Sequence, residues 1–439
     1  MREMKDSGVE WIDKIPSSWS IVPLKTMVSF GKGLPITKEN LIEKGVAVVS
    51  YGQIHSKINV GSHLNKELVR YVSYEYLQSN RNCLAKKGDI LIADTSENYE
   101  GIGNSVLNDW DENLFAGYHT VIIRPSDRTY SKYLAYLFMT DSWRSQLRSR
   151  ASGIKVFSVT QGLLKKTAII IPRENSVQKI TDYLDAKCSK LDEIIEKQQA
   201  IIEKLKEYKL SIITEAVTKG INPNIEIKDS GIEWIGYIPK CWNISRFKYL
   251  SSEIGDGLHS TPVYDSEGDY YFMNGQNIGN EKLVFSDKTD RLNELEYMKY
   301  KKPLLSENTI FITLNGATYG KSSFYNGEKV LLGKSAGYIT LKSSENKRYI
   351  RYYLQSRTAK IFMELSLCGS TIANLSLKTL NEFIIPLPSE DEQRRIVDFL
   401  DVRCKLIDHN IDEKGKIVEK LQEYKKSLIY EVVTGKKEV

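Results

Sequence analysis

Two stretches of the chain carry apolar residues in alternating steps of four and three, which is the spacing of a coiled-coil seam. In the first stretch the seam positions are Leu184, Cys188, Leu191, Ile195, Ile202, Leu205 and Ile212. In the second they are Leu400, Cys404, Ile407, Ile411, Val418, Leu421 and Leu428. Each stretch predicts a helix of about 40 residues, about 60 Å long. A compact domain does not need such a helix, so we expect the two seams to bury each other in an antiparallel pair that acts as a spacer.

The two predicted helices are copies of each other. EKLKEYKLSIITEAVT in the first aligns with EKLQEYKKSLIYEVVT in the second, at the same offset that pairs Asp182 with Asp398. The chain also opens with KDSGVEWIDKIPSSW and repeats this near its middle as KDSGIEWIGYIPKCW. Internal repeats of this kind indicate duplicated structural units. The chain therefore consists of two copies of one unit, roughly 1–220 and 224–439.

The regions between these similar ends have diverged but keep weaker similarities in the same order. VSYGQI corresponds to MNGQNI, and FAGYHTVII corresponds to SAGYITLK. Short apolar runs such as GVAVVSY, GDILIAD and NTIFITL are typical of strands, and more helical stretches follow them. The predicted fold class is α+β, with two repeated α/β domains separated by two long helices in a pseudo-two-fold arrangement. Gly220 is placed to end the first long helix, and Pro223 prevents its resumption.

Four seam positions are occupied by residues that are not aliphatic. Cys188 and Cys404 occupy the same seam position, and we interpret them as small apolar side chains rather than a redox pair. Gln198 and Lys414 are polar seam residues that either set the register or lie on a locally solvated face, and both interpretations stay open. The five cysteines are scattered and include no CxxC pair, so neither disulfides nor a zinc site is expected.

The overall charge and hydropathy narrow the class of protein. A formal net charge of +6 and a pI near 8.7 are compatible with nucleic-acid binding without establishing it. No run of about 18 apolar residues is present, and the N-terminus lacks the apolar core of a signal peptide. We therefore expect the protein to stay in the cytoplasm and not to contact a membrane.

The sequence contains none of the common catalytic motifs. NGATYGKSS resembles a phosphate-binding loop, but Asn315 stands where glycine is required, and Gly316 and Gly320 are one residue too close. We expect a glycine-rich turn there. The [DN]PP[FY] motif of adenine methyltransferases is absent, and the five histidines have no metal-binding spacing. The sequence therefore predicts a non-catalytic recognition protein, with no metal or cofactor bound by this chain.

Polar and aromatic residues that can bond base edges and phosphates are concentrated in loops of both repeats. In the first repeat the candidate DNA-binding residues are Tyr51, Gln53, His55, Lys57, Asn98, Tyr99, Asn104, Arg148, Arg150 and Lys155. In the second they are His259, Thr261, Asn274, Gln276, Asn277, Asn315, Thr318, Tyr319, Lys321, Ser370, Thr371 and Asn374. Each loop alone also fits an ordinary solvated turn. The DNA interpretation depends on their recurrence at corresponding points of both repeats.

The chain resembles the specificity (S) subunit of type I restriction–modification systems along essentially its whole length. DSGVEWIDKIPSSW and DSGIEWIGYIPKCW open the repeats, and IPRENSVQKITDYLDAK and LPSEDEQRRIVDFLDVR enter the long helices. LKEYKLSIITEAVTKG and LQEYKKSLIYEVVTGK close them, and GDGLHSTPVY looks like the start of a target-recognition domain. The first helix entry departs from the family pattern, because Val177 stands where Gln393 does in the second.

The resemblance implies a division of the chain into five parts. They are target-recognition domains at 1–172 and 231–388, spacer helices at 173–220 and 389–439, and a linker at 221–230. Each target-recognition domain would read one half of a split target in double-stranded DNA, and the helices would hold the half-sites apart. A change of one helical turn in either long helix should then alter the gap and not the half-sites.

The resemblance also implies partners. Two methyltransferase subunits would bring S-adenosylmethionine and methylate adenine N6, and two translocase–nuclease subunits would use ATP and Mg²⁺ to restrict unmodified DNA. The alternative is a coiled-coil scaffold whose lobes bind protein or glycan. A bipartite reader needs two different lobes and a symmetric scaffold does not. The strong divergence of the lobes, beside helices that stay alike, favours the reader.

Overall fold

The computed structural model describes residues 3–153, 155–301, 305–342, 346–367 and 374–439. The chain forms two compact units: unit 1 comprises Met1–Gln198 and Lys416–Val439, and unit 2 comprises Gln199–Gly415. This division falls inside the long helices and not at their starts. Each unit therefore contains one α+β domain and a part of both long helices.

Unit 1 is built on two four-stranded sheets that share the buried core of the domain. The strands of the first sheet, in spatial order, are Ser105–Leu107, Ile90–Ala93, Thr120–Pro125 and Val28–Lys32. Those of the second are Arg70–Val72, Val46–Val49, Leu114–Ala116 and Leu84–Ala85. The first sheet is antiparallel throughout, whereas Val46–Val49 and Leu114–Ala116 run parallel in the second. The central strands are buried on both faces, which explains why their sequences are continuously apolar.

Unit 2 repeats this topology. The strands of its first sheet, in spatial order, are Ser251–Asp256, Ala336–Leu341, Thr309–Thr313 and Ser322–Phe324. Those of its second sheet are Arg291–Leu292, Tyr270–Met273 and Val330–Leu332, and the last two run parallel. Read from the opposite edge, the first sheet has the same strand order as its counterpart in unit 1. The two α+β domains therefore share a fold, although their sequences are only weakly similar.

Short ribbons and helices complete each unit. In unit 1 the ribbons pair Met4–Asp6 with Lys14–Pro16, Ser20–Pro23 with Ala168–Ile171, and Thr95–Ser96 with Phe157–Ser158. In unit 2 they pair Ile227–Asp229 with Tyr237–Pro239 and Asn243–Arg246 with Ile384–Leu387. The short α-helices of unit 1 are Tyr51–Ile54, Tyr76–Ser79, Ser131–Phe138, Asp141–Arg148 and Gln161–Lys165. Those of unit 2 are Phe247–Leu250, Glu294–Tyr300, Lys347–Gln355, Arg357–Leu367 and Leu377–Asn381.

The two long helices span Glu174–Lys219 and Glu390–Val433 and contain 46 and 44 residues. The first ends as predicted at Gly220, which has a φ of +80° and donates its N–H to the carbonyl oxygen of Ala216 at 3.2 Å. The second is followed by Gly435, with a φ of +71°. Only glycine adopts this left-handed conformation without a steric penalty, so both glycines end their helices for the same reason.

The predicted antiparallel pairing of the long helices is confirmed within each unit. In unit 1 the Lys425 Nζ donates to both carboxylate oxygens of Asp192, at 2.6 and 2.7 Å. In unit 2 the Lys209 Nζ donates to both oxygens of Asp408, at 2.7 and 2.6 Å. The two ion pairs occupy equivalent positions of the repeats. All the predicted seam residues of the two long helices are buried or half-buried.

Buried tyrosines attach each α+β domain to the helix pair. In unit 1 the Tyr133 hydroxyl lies 3.0 Å from the carbonyl oxygen of Ile170 and 2.9 Å from that of Val433. In unit 2 the Tyr349 hydroxyl lies 2.8 Å from the carbonyl oxygen of Pro386 and 3.2 Å from that of Val217. Each hydroxyl thereby joins the last strand of its domain to the end of a long helix.

A second pair of tyrosines reinforces this attachment. The Tyr136 hydroxyl donates to Asp185 at 2.7 Å, and the Tyr352 hydroxyl donates to Asp401 at 2.7 Å. Burial, followed by the hydrogen bond to the carboxylate, raises the pKa of both tyrosines far above the usual value. Both hydroxyls therefore stay protonated and remain donors at any physiological pH.

Within the described part of the chain, no helix is long and apolar enough to cross a bilayer.

Removing the Asp192–Lys425 ion pair should destabilise the helix pairing. We expect Asp192→Ala to cost about 1–3 kcal/mol of unfolding free energy, because it leaves the mostly buried Lys425 ammonium without its acceptors. The change is measured as a fall in the thermal midpoint, in a double-mutant cycle with Lys425→Ala. Lys420→Ala, on an exposed position of the same helix, is the control. Strictly additive effects of the two substitutions would contradict a direct interaction.

The buried seam thiols should be unreactive in the folded protein. Burial raises the pKa of Cys188 and of Cys404 to about 11, whereas Cys241 is exposed. At pH about 8 we expect iodoacetamide to modify Cys241 at least about 100-fold faster than either seam cysteine, because only the thiolate reacts. Peptide mass spectrometry of timed samples measures the three rates. Similar rates in the native protein, and not only in denaturant, would disprove the burial.

Candidate nucleic-acid interface

One group of predicted contact residues in unit 1 follows a buried strand. The strand Val46–Val49 runs into the short helix Tyr51–Ile54, whose N-cap is Ser50. The Gln53 side chain accepts a hydrogen bond from the Ser50 N–H at 3.0 Å, so its amide oxygen belongs to a capping box. Gln53 therefore stabilises the turn, and the hydrogen bond fixes the orientation of its amide group.

His55 and Asn104 are brought together although they are far apart in the sequence. The His55 Nε2 lies 2.7 Å from the Thr95 carbonyl oxygen, which can only accept, so Nε2 carries a proton. The other ring nitrogen, Nδ1, lies 3.2 Å from the Asn104 side-chain nitrogen and accepts its hydrogen bond. This pair fixes the orientation of the Asn104 amide, whose second N–H and oxygen can then bond a base edge.

An aromatic cluster lies beside this pair and joins the predicted residue Tyr51 to Tyr118 and His119, which were not among the predicted residues. The Tyr51 ring packs edge-on against Tyr118 and His119, with centroid distances of 5.9 and 5.6 Å. The His119 Nδ1 lies 2.9 Å from a carboxylate oxygen of Asp94. His119 has a φ of +52°, a conformation that is uncommon outside glycine and that often marks functional positions.

The sequence AGY occurs in both repeats, at residues 116–118 and 336–338, and this repetition could have revealed the cluster. A Cβ on Gly117 would lie 2.2 Å from the Ser50 Oγ, so only glycine allows the motif to approach the N-cap of the short helix. The Tyr51 N–H then donates to the Tyr118 carbonyl oxygen at 3.0 Å. The motif therefore positions Tyr118, which is 42% exposed, at the surface next to Tyr51.

A second loop of unit 1, residues 97–104, contains two more predicted residues, and a third, Arg148, contacts it from the helix Asp141–Arg148. The Asn98 side-chain oxygen accepts the Gly101 N–H at 2.7 Å and shapes the loop. Tyr99 is 49% exposed, and the Arg148 guanidinium lies 5.9 Å from its ring centroid. Arg148 also donates to the Glu100 carbonyl oxygen at 2.9 Å. The loop therefore presents an exposed aromatic ring held by an arginine, which suits base stacking.

The remaining predicted residues of unit 1 are exposed. Lys57, Arg150 and Lys155 all lie at the surface, where they can reach phosphates. Asp89, which directly precedes the strand Ile90–Ala93, is completely buried. Arg124 and Arg128 donate to its carboxylate at 2.7 and 2.6 Å. Both oxygens of the Asp89 carboxylate are therefore engaged by arginines, which gives Asp89 a structural role.

In unit 2 the corresponding turn is built in the same way from different residues. The Asn277 side chain accepts the Asn274 N–H at 2.9 Å and donates to the Val284 carbonyl oxygen at 3.0 Å. Asn277 is buried, so it caps the turn as Gln53 does in unit 1. The Asn274 side-chain oxygen accepts from the Ser335 hydroxyl at 3.2 Å, whereas Gln276 is exposed.

Two other groups of unit 2 residues lie apart from this turn. The His259 Nε2 lies 2.7 Å from a carboxylate oxygen of Asp256, and its side chain is 70% exposed. Thr261 follows at the surface. Asn374 pairs with Asn315 in an isolated antiparallel bridge. Ser370 and Thr371 lie outside the described residues.

The loop around NGATYGKSS is a glycine-containing turn between strands, as expected. It connects Thr309–Thr313 to Ser322–Phe324, and Gly316 and Gly320 have φ values of +83° and +78°. Three predicted residues of this loop border a cleft against the long helices of unit 2. They are Thr318, Tyr319 and Lys321. Among the residues that the structure describes, no three His, Cys, Asp or Glu side chains are grouped so that they could hold a metal ion.

Comparison with known proteins identifies the type of fold. Similar sequences include the putative type I restriction enzyme MjaX specificity subunit of Methanocaldococcus jannaschii, with 25% identity over 438 residues and coverage of 97% of this chain and 95% of the relative. The type I restriction enzyme MjaVIII specificity subunit of the same organism is 23% identical over 438 residues and covers 96% and 94%.

A solved structure and a family profile agree with these relatives. The structure, described as "Structural basis underlying complex assembly and conformational transition of the type I R-M system", has a TM-score of 0.66 at 18% identity and covers 95% of this chain and 98% of its own. The profile of the type I restriction modification DNA specificity domain matches residues 16–212 and 259–427, which is most of both units. The chain therefore belongs to the family of type I restriction modification DNA specificity proteins.

Proposed function

We propose that this chain is the sequence-reading subunit of a type I restriction–modification complex, in which each α+β domain reads one half of a bipartite DNA target. The supporting observation is the contrast between constant and variable parts of the two units. The Tyr–Asp and Asp–Lys contacts with the long helices are repeated at equivalent positions. The candidate reading loops differ in sequence and in hydrogen bonding.

This contrast is what a bipartite reader requires. The His55–Asn104 pair and the Tyr51–Tyr118 contact present one pattern of donors, acceptors and rings in unit 1. Unit 2 presents another through the His259–Asp256 pair. Two different patterns on one scaffold favour recognition of two different half-sites. A coiled-coil scaffold that binds protein or glycan is the rival, and it gives no reason for the loops to differ while the helix contacts stay the same.

The helix pair is proposed to set the gap between the half-sites. Because DNA is helical, two modules that read the same face must be held at a defined separation. The repeated Asp–Lys ion pairs support this role, since they fix the register of one helix against the other.

The chemistry is assigned to partner subunits. Two methyltransferase subunits, matching the two equivalent helix–domain junctions, would bind S-adenosylmethionine and methylate adenine N6 in each half-site. Two translocase–nuclease subunits would supply the ATP and Mg²⁺ sites for restriction. This chain would bind no cofactor and catalyse no reaction itself. Its modest net charge of +6 is compatible with partners that neutralise part of the DNA phosphate charge.

Methylation mapping tests the proposed function directly. Cells that express this chain with its methyltransferase partner should gain N6-methyladenine in both halves of one split motif with a fixed gap, as read by long-read sequencing. Cells with the partner alone are the control. A complex that forms and methylates no new motif would favour the scaffold and reject DNA reading by the lobes.

Lengthening both long helices equally should change the gap and leave the half-sites unchanged. Tandem duplication of residues 199–205 and of the equivalent residues 415–421 adds one seam repeat to each helix. Seven residues add about 10 Å at about 1.5 Å per residue. This corresponds to about three base pairs at about 3.4 Å each. Methylation mapping of the variant measures the new gap.

A matched insertion of seven residues after Pro223, in the linker, serves as the control and should leave the gap as it was. An altered half-site in the helix variant, or an unchanged gap together with full activity, would reject the spacing role. A variant that is inactive because it fails to fold is recognised by a lowered thermal midpoint. In that case the same duplication is made in a more stable relative, and the gap of its methylated motif is measured.

A further inference from the structure

A cleft in unit 1 separates the domain from the end of the second long helix. Its wider part has a volume of about 710 Å³ and its narrower part about 200 Å³. The wider part is bordered by the helix Asp141–Arg148, and the narrower part by Asn104, a predicted reading residue. Arg144 and Lys426 line both parts. Two cations from different elements therefore stand where the two parts of the cleft meet.

Arg144 differs from neighbouring arginines in its lack of an acidic partner. Its Nε donates to the Phe138 carbonyl oxygen at 2.9 Å. Among the described residues, no carboxylate lies within ion-pair distance, and no protein acceptor binds its two terminal nitrogens. Arg148, one turn further along the helix, donates to Asp141 at 2.7 Å. Arg144 thus leaves the planar, two-pronged end of its guanidinium facing the cleft with its donors unused.

The charge on Arg144 is partly desolvated. Burial, followed by the nearby Arg148 guanidinium, lowers the pKa of Arg144 to about 10. The side chain therefore remains a cation at neutral pH. The Asp141 carboxylate, which is bonded to Arg148, opposes this lowering only in part. A cation that is withdrawn from water is unfavourable, and a bound anion would offset the remaining cost.

Lys426 adds a second cation from the long helix. Its side chain is exposed and lies on the opposite wall of the cleft from Arg144. The acidic groups on the wider part are Asp141, which is bonded to Arg148, and Glu100. The cleft is therefore net positive around Arg144 and Lys426.

Unit 2 has a cleft at the equivalent place. It has a volume of about 830 Å³ and lies between the loop 314–321 and the long helices. Lys360, which stands at the same position of the repeat as Arg144, lines it together with Lys321 from the loop and Lys206 from the helix. Glu364 and Asp408 also line this cleft, and Lys360 Nζ lies 4.0 Å from a carboxylate oxygen of Glu364. Both units therefore have a cleft that cations line beside a candidate reading loop, but Lys360 has an acidic neighbour at ion-pair distance whereas Arg144 has none among the described residues.

We propose that the Arg144–Lys426 cleft binds phosphates of the DNA backbone next to the first half-site. The long helix would then take part in DNA binding as well as in spacing. The proposal rests on the proposed function. A phosphate fits because guanidinium and ammonium groups from two walls can share its several acceptor oxygens. A duplex also presents a negative charge about every 1.7 Å. The cleft opens beside Asn104, so a strand whose bases are read there passes within reach.

The salt dependence of DNA binding tests this proposal. The purified complex of this chain with its methyltransferase partner is titrated with a duplex that carries the mapped split motif, from about 50 to about 300 mM KCl. Arg144→Gln and Lys426→Gln should each weaken binding by about 3–10-fold at fixed salt. Each should also reduce the slope of log affinity against log salt by about one. Arg144→Lys should retain the slope. Lys420→Gln, exposed on the same helix and outside the cleft, should change neither quantity.

The methylated motif should be identical in all variants, because phosphate contacts position the protein and carry no sequence information. Unchanged slopes in both Gln variants would overturn the proposal, and so would a changed half-site, which would indicate base reading by Arg144. Loss of the methyltransferase subunit from the complex with an unchanged slope would show that the cleft binds protein. A wild-type complex that methylates no split motif would reject the proposed function itself. A wild-type complex that methylates such a motif, together with unchanged slopes in the Gln variants, would reject only the phosphate cleft.

Discussion

The antiparallel pairing of two long helices is the interaction on which the rest of this structure depends. Within each unit the pairing buries apolar seam residues and is fixed by an Asp–Lys ion pair, Asp192–Lys425 in one unit and Asp408–Lys209 in the other. The ion pair favours one register, because a slip of one helix along the other would leave a mostly buried ammonium without its carboxylate. The hydrogen bonds of four buried tyrosines to the helices are then repeated at equivalent positions in both units.

The domains are attached to the helix pair by hydroxyl groups that cannot ionise. Tyr133 and Tyr349 bind main-chain carbonyl groups in the interior, and burial raises the pKa of both well above the usual value. Tyr136 and Tyr352 add hydrogen bonds to the carboxylates of Asp185 and Asp401 on the long helices. None of these four tyrosines belongs to the candidate reading loops, so the loops can differ between the two units while the attachment stays the same.

Local geometry also decides which candidate residues can read DNA. Gln53 and Asn277 have the amide groups that suit a base edge, yet each caps a turn through its side-chain oxygen. Asn104 has the same chemistry but is held by His55, with part of its amide still free. An amide that completes a capping box contributes to the fold first, so identical residue types in similar loops have different roles.

The sequence by itself determined the duplication, the seam of the long helices, their antiparallel pairing and the glycine that ends the first helix. The duplication appears as similar segments at one offset, the seam as a periodic pattern, and the helix end as a local glycine. The antiparallel pairing follows from the apolar seams that two long helices on one chain have to bury. Only the tertiary structure decided the strand order, the burial of Asp89 beneath Arg124, and the position of Arg144 opposite Lys426. Those contacts join residues that are far apart in the chain. Contacts between residues that are distant in the sequence produce no periodic pattern. The residue type alone also does not show whether a charged side chain is buried against a partner or exposed to water.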